Sequence, residues 1–363
     1  MAGALLAPLL SALEPRRLLM NCNNEGRPML AGRYELTECI GKGGMATVFR
    51  ATMHGAAGFR RQVAVKRLLT SLINNPEFIA MFVEEARVGS LLQHPNIVQI
   101  LDFAQDDEGR YFLVMEWVEG PDLCGWLDAF ECRNLQTPWP LVSAIGIEAL
   151  HGLNAAHTRL DDEGMPAPVI HRDVAPQNIL IGSNGVVKLS DFGLSRAADR
   201  ARMTNPDIVK GKLSYLAPEL SHGVAASPQS DIFGLGVVLW EALAGRKLYE
   251  GQNDIEVFLA AREADIPSLQ QFRPDIPTAL GQTVHRALAH DPAKRFSSAH
   301  HMARALASIC REAGTTDASV LARSVRNARI ANSAVSKVGP APPPPPASTL
   351  ITTLPIPLTR RKK

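Results

Sequence analysis

The sequence predicts an α+β chain in two unequal parts, a small β-rich one followed by a larger, mostly α-helical one. Three observations carry this prediction. Residues 33–68 and 97–118 read as short strands joined by turn-like, glycine-bearing or polar connections. Beyond Gly120 apolar residues recur at helical spacing, in 140–158, 228–244, 254–263, 277–290 and 297–312. One short strand pair, "NILIG" and "VVKLS", interrupts those helices, and no repeat period appears.

In chain order, "YELTECI" leads into a glycine-rich turn, "TVFRAT" follows, and a polar connection with Gly55 and Gly58 leads to "RQVAVKRLL". Strict alternation in this third strand puts Ala64 and Lys66 on one face and Val63 and Val65 on the other. The helical pattern "NPEFIAMFVEEARVGSLLQ" ends at "HPN". The strands "IVQILDFAQ" and "YFLVMEWV" come next, joined by the turn-like "DDEGR".

Composition narrows the function classes. Among 363 residues, 46% are hydrophobic and 20% charged, with a formal net charge of +2. That balance argues against a nucleic-acid partner. Cys22, Cys39, Cys124, Cys132 and Cys310 show neither C-x-x-C nor zinc spacing, which suits reduced thiols and a cytoplasmic location. No apolar run approaches the ~18 residues that a membrane span needs. The opening "MAGALLAPLLSALEPRRLLM" lacks the basic start of a signal peptide, since Glu14, Arg16 and Arg17 follow its apolar part. The expected organisation is an amphipathic or disordered extension over 1–32, one domain over 33–312 that divides at 118/119, and a tail over 313–363. That tail carries "APPPPPA", a semi-rigid spacer, and ends in the basic "RRKK".

Several short motifs bear chemistry. In "GKGGMATV", Gly41, Gly43 and Gly44 precede Val48, and glycines there let backbone N–H groups approach phosphate oxygens with no Cβ in the way. "VAVK" ends in Lys66, which an ion pair from the following helix would hold aimed at phosphates. Glu85 is the preferred partner because it directly precedes "AR" and stands at a fixed distance before His94-Pro95. Neighbouring Glu84 competes. In "VMEWV", backbone groups of Glu116 and Val118 can hydrogen-bond the edge of a base, with Met115 limiting the pocket behind, although plain core packing also explains Met115. "HRDVAPQN" supplies Asp173 and Asn178, and "DFG" supplies Asp191. Asn178 and Asp191 are hard oxygen ligands suited to Mg2+. Asp173 is a carboxylate able to accept a proton from an attacking hydroxyl.

In this order and spacing the motifs resemble the catalytic domain of bacterial eukaryotic-like (Hanks-type) serine/threonine protein kinases, over residues 33–312. The resemblance implies a two-lobed kinase-like fold, ATP and Mg2+ as cofactors, protein substrates, and self-association where autophosphorylation runs in trans. By the same resemblance, Gly41, Gly43, Gly44, Val48, Ala64, Lys66, Glu85, Met115, Glu116 and Val118 line the nucleotide site. Further matches are "YLAPE" at 215–219, the helix "SDIFGLGVVLWEAL", Arg295 as the partner of Glu219, and Asp231 as a support beneath the catalytic loop. Arg172 stands where an Arg can pair with a phosphate on the segment before Glu219, with Thr204 the first acceptor and Ser195 and Ser214 behind it.

Three residues depart from the family pattern: Ala46 for the third glycine, Ala175 for the usual lysine of the catalytic loop, and Lys212 for a threonine that touches both that lysine and the catalytic Asp. The two linked changes suggest a relocated cation, with Lys212 serving the catalytic site in place of a lysine at 175. Two rival readings follow from Ala175. One is a pseudokinase that binds nucleotide or a partner with little turnover. The other is tyrosine specificity, which in the family pairs that Ala with an Arg where this chain has Gln177.

Overall fold

The structure is a computed structural model describing residues 28–192, 213–251, 253–313 and 321–327. Its first part is an antiparallel sheet of β1 (Met29–Leu30), β2 (Tyr34–Lys42), β3 (Ala46–His54), β4 (Arg60–Leu68), β5 (Ile100–Gln105) and β6 (Tyr111–Glu116), in the order β1-β2-β3-β4-β6-β5. The alternation in β4 decides how this sheet is covered. Val63 and Val65 join Tyr34, Phe49, Phe112 and Val114 in one apolar cluster, while Ala64 joins Phe82, Ala86, Leu113 and Met115 in another. The second cluster packs against α1 (Pro76–Ser90), which presents Phe78, Phe82, Ala86 and Gly89 on one side. Asn75 starts that helix by accepting a hydrogen bond from the Glu77 N–H at 3.0 Å, and Pro76 sits where a missing N–H is harmless.

The connection out of β6 runs hard against the second part of the chain. A Cβ on Gly120 would lie 1.9 Å from the Ile181 carbonyl oxygen, so only glycine fits where the linker crosses. Beyond it lie α2 (Leu123–Glu131), α3 (Trp139–His157), the hairpin β7 (Ile179–Ile181) and β8 (Val187–Leu189), then α4 (Pro218–Ser221) and α5 (Pro228–Ala244). Further helices are α6 (Asp254–Glu263), α7 (Leu269–Phe272), α8 (Thr278–Ala287) and α9 (Ala299–Glu312). Helix α5 is apolar on nearly every side and buried from Ser230 to Leu243, as expected of a helix with no solvent face. A reciprocal Ser227–Ser230 capping box opens it, and Gly245 at φ 70° closes it. Helix α3 packs between α5 and α9.

The predicted α+β, two-part architecture is therefore the observed one. Differences are local. Residues 97–99 run as a connection instead of a strand, because Ile97 bridges Leu189 and the Val98 N–H donates to the Leu189 carbonyl at 2.8 Å, stitching the two parts together. The helix expected from 297 starts at Ala299, where Ser298 caps it by accepting from the His301 N–H. Helix α2 and strand β1 have no counterpart among the expected elements. Residues 321–327 are also helical, with Leu321, Ala322 and Val325 buried.

Candidate active site

Strand register brings the predicted site residues together from the sheet side. Gly41 pairs with Val48, Val48 with Lys66, and Ala64 with Met115, so four adjacent strands carry them in one patch. The turn between β2 and β3 is closed by the Gly43 N–H donating to the Ala46 carbonyl at 2.8 Å. A Cβ on Gly41 would meet no protein atom within 4 Å. Packing inside the chain therefore does not explain that glycine, and the bare backbone faces open space. This suits a phosphate cradle. Ala46, the departure from the glycine pattern, points its methyl group into the core beside Leu68 and Phe82, so it does not crowd the turn.

Lys66 is buried and its Nζ donates to Glu85 Oε1 at 2.5 Å and to Asp191 Oδ1 at 2.8 Å. Burial works to lower the Lys66 pKa, but the carboxylates of Asp191 and Glu85 outweigh it and hold the ammonium charged. Burial pushes the Glu85 carboxyl upward against the pull of Lys66. The competing Glu84 faces outward and is held by Arg87 at 2.8 and 2.9 Å. Helix phase could have settled that choice in advance, since Glu85 shares the buried side of α1 with Phe78, Phe82 and Gly89.

Behind Met115 lies a narrow cavity of about 20 Å³ lined by Glu85, Gly89, Leu113 and Phe192, room for a single water at most. Met115 lines this cavity and also packs in the core beside Ala64 and Leu113. Glu116 uses its side chain for structure: Oε1 accepts from the Gln99 N–H and from Lys188 Nζ, each at 2.8 Å. Val118 packs beside the same cluster at the start of the linker.

The opposite wall is built around Asp231, a fully buried carboxylate on α5. Its oxygens accept from the backbone N–H groups of His171 and Arg172 and from His157 Nε2, all at 2.8 Å. This clamp holds Arg172 at φ 67°, a conformation that is unfavourable without such support. Burial lowers the His171 pKa, so its ring is neutral. Nε2 then donates to the Ser190 carbonyl at 3.0 Å while Nδ1 accepts from the Asp173 N–H at 3.3 Å. Asn178 Nδ2 donates to the Asp173 carbonyl at 2.7 Å and to Asp173 Oδ2 at 3.0 Å, which fixes the carboxylate's orientation. Ala175 is buried in the core of the helical part.

Residues 34–306 match the protein kinase domain family. The chain belongs to that family. Relatives of this kinase domain include the tyrosine-protein kinase MasK of Myxococcus xanthus, 39% identical over 77% of this chain and 43% of that protein. The serine/threonine-protein kinase PrkC of Bacillus subtilis is 35% identical over 75% of this chain and 40% of its own length. PknA of Mycobacterium tuberculosis, also a serine/threonine-protein kinase, is 35% identical over 77% and 62%. The chain thus spans only part of the length of these relatives. The solved kinase domain of M. tuberculosis PknI superposes with a TM-score of 0.58 at 27% identity, over 79% of this chain and 98% of that one. The expected resemblance to bacterial Hanks-type kinases is borne out, and membership implies ATP use, normally with Mg2+.

The kinase domain also shows the expected long-range pair. Arg295, whose side chain has no solvent exposure, grips Glu219 through two 2.7 Å hydrogen bonds and lies over the Phe233 ring at 4.8 Å. The tilted ring contact of His171 with Phe192, centroids 4.4 Å apart, had no signal in the sequence beyond the two motifs that contain them. Arg172 Nε is buried with no hydrogen-bond partner among the described residues. Lys212, Thr204 and Ser195 lie outside those residues, whereas Ser214 stands in the short turn Leu213–Tyr215.

Proposed function

We propose that the chain is a serine/threonine protein kinase that transfers the ATP γ-phosphate to protein hydroxyls, with residues 33–312 as its catalytic unit. One observation carries this reading: Lys66 is bonded at once to Glu85 and Asp191, opposite a loop on which Asn178 orients Asp173. A decayed enzyme has no reason to keep all five groups in register. Bound ATP and Mg2+ supply the phosphoryl group and spread its charge.

The chain's own residues do the rest. Lys66, held charged, binds the α- and β-phosphates beneath the open turn of Gly41, Gly43 and Gly44. Val48, Ala64 and Met115 enclose the base, whose edge meets the backbone of Glu116 and Val118. Asn178 and Asp191 hold the metal. Asp173 orients the acceptor hydroxyl and takes its proton, and Lys212 supplies the cation that Ala175 lacks. A cytoplasmic site of action suits the ATP requirement, and no helix among the described residues is long and apolar enough to cross a membrane. Self-association for trans-autophosphorylation belongs to the same proposal.

A second reading, tyrosine as acceptor, draws on Ala175 and on the likeness to a relative named as a tyrosine kinase. Gln177 speaks against it. One experiment serves both: transfer of labelled γ-phosphate to a basic acceptor protein, followed by phosphoamino-acid analysis. Asp173→Asn should cut transfer by roughly 10²–10⁴-fold, the usual worth of a positioned general base, and leave nucleotide affinity within a few-fold. Phosphotyrosine as the main product would favour the second reading, and an inactive wild type would favour the pseudokinase.

A further inference from the structure

Residues 321–327 lie beyond the matched family region, yet they are built into the helical lobe. In the helical stretch "LARSVRN", Leu321, Ala322 and Val325 are buried while Arg323, Arg326 and Asn327 are exposed, the pattern of one apolar stripe on a short amphipathic helix. Leu321 and Val325 belong to the core that also holds Leu123, Trp126 and Ala129 of α2 and Ile181 of β7. Polar contacts fix the register. Trp126, wholly buried, donates its Nε1–H to Ser324 Oγ at 3.2 Å, and Arg326 Nη1 donates to the Ser183 carbonyl at 3.0 Å. An indole N–H at such a site needs a partner, and this segment provides it.

The place matters as much as the contacts. Helix α2 follows directly on the linker, and the Ser183 N–H donates to the Glu119 carbonyl of that linker at 2.7 Å. The Ile181 N–H likewise donates to the Pro121 carbonyl at 2.9 Å. Arg326 therefore grips the residue that itself pins the linker between the lobes.

We propose that α2 and the β7–β8 turn form a docking groove for a short amphipathic helix, filled in cis by residues 321–327, and that filling the groove steadies the linker at the mouth of the nucleotide cleft. The occupant it fits is defined by chemistry: a large and a small apolar residue side by side, a hydroxyl three positions after the first, a second large apolar residue one later, then an arginine. This is recognition of a helix in a groove. The groove's occupancy stands apart from the kinase reading, whereas the effect on nucleotide rests on it.

The full-length double variant Leu321→Asp/Val325→Asp should undock the segment, because each Asp would be buried without a partner. A labelled synthetic peptide of residues 318–330 should then bind this variant and not the wild type, by fluorescence anisotropy. The variant's KM for ATP should rise several-fold with kcat nearly unchanged, and saturating peptide should restore it. Should the double variant lose its helical circular dichroism, Ser324→Ala/Arg326→Ala serves instead, with the same peptide and ATP measurements.

A folded variant that ignores the peptide overturns the groove. One that binds peptide but keeps the wild-type KM for ATP overturns the link to the linker. A wild type that sediments as a dimer and becomes monomeric in the variant places the segment on a second copy, which overturns docking in cis. A wild type that binds no nucleotide sinks the kinase reading and leaves the peptide result standing.

Discussion

Glu84 and Glu85 are adjacent and chemically identical, yet only one completes the site. Glu85→Gln removes the charge that balances buried Lys66, so the KM for ATP should rise and turnover should fall by ten-fold or more, whereas Glu84→Gln should stay within about two-fold. The comparison rests on an exposed ion pair being worth little against a buried one, and steady-state kinetics on the pair of variants checks it. If Lys212 stands in for the lysine missing at Ala175, Lys212→Ala slows transfer by roughly 10²-fold, the loss typical of one transition-state donor, with ATP affinity nearly unchanged. Adding Ala175→Lys in that background should then recover part of the rate. A Lys212→Ala chain that turns over like wild type ends the idea. Legibility in the sequence also varied residue by residue. The glycines, Lys66, Asp173, Asn178 and Asp191 announce themselves through fixed local spacing. The choice of Glu85 needed the phase of a helix, and the partner of Trp126 needed a contact across 198 positions, which no local pattern encodes.

Elements were readable where they are long and periodic, as in α3, α5 and β4. Two short ones were missed: α2 has nine residues and β1 has two, and each takes its shape from what it docks against, whereas the three-residue strands β7 and β8 were legible as apolar runs. The contact between α4 and the segment joining α8 to α9 shows what such docking costs to undo. Arg295 fills its hydrogen bonds with Glu219 and the carbonyls of Ala289, Gln229 and His290, at 2.7–3.1 Å. Arg295→Met strands the Glu219 carboxylate and three carbonyls, and should cost about 3–5 kcal/mol in chemical denaturation. The same variant should lose transfer activity even below its melting temperature, because Glu219 ends the segment that leads from Asp191.

For the whole molecule, half-buried histidines contribute to the response to acid. Burial lowers the pKa of His285 on α8, whose Nε2 has no hydrogen-bond partner among the described residues. His94 is lowered too, by burial and by nearby His151. A folded-state value below the ordinary 6.5 means that the unfolded chain binds the proton first. Stability from these groups is complete above 6.5 and declines as the pH falls below it. Glu85, shifted upward, acts in the opposite direction, so the total slope mixes the two. The measurement that isolates one of them is thermal melting of wild type and His285→Asn across this range: the variant should lose less on acidification. An equal slope in both would remove His285 from the account.

The three hydrogen bonds at Asp231 have a mechanical consequence. Two of them fix the His171 and Arg172 backbone to the helical lobe's central rod, so Asp173, the next residue, rides with that lobe. Asp191 is different, because its carboxylate is bonded to Lys66 and so answers to the sheet lobe as well. On the roles proposed above, any rocking of one lobe against the other would leave Asp173 aimed at the acceptor hydroxyl and would be taken up between the sheet and Asp191. The hinge motion is thereby sorted into a still half and a compliant half. One buried aspartate thus decides to which lobe Asp173 belongs.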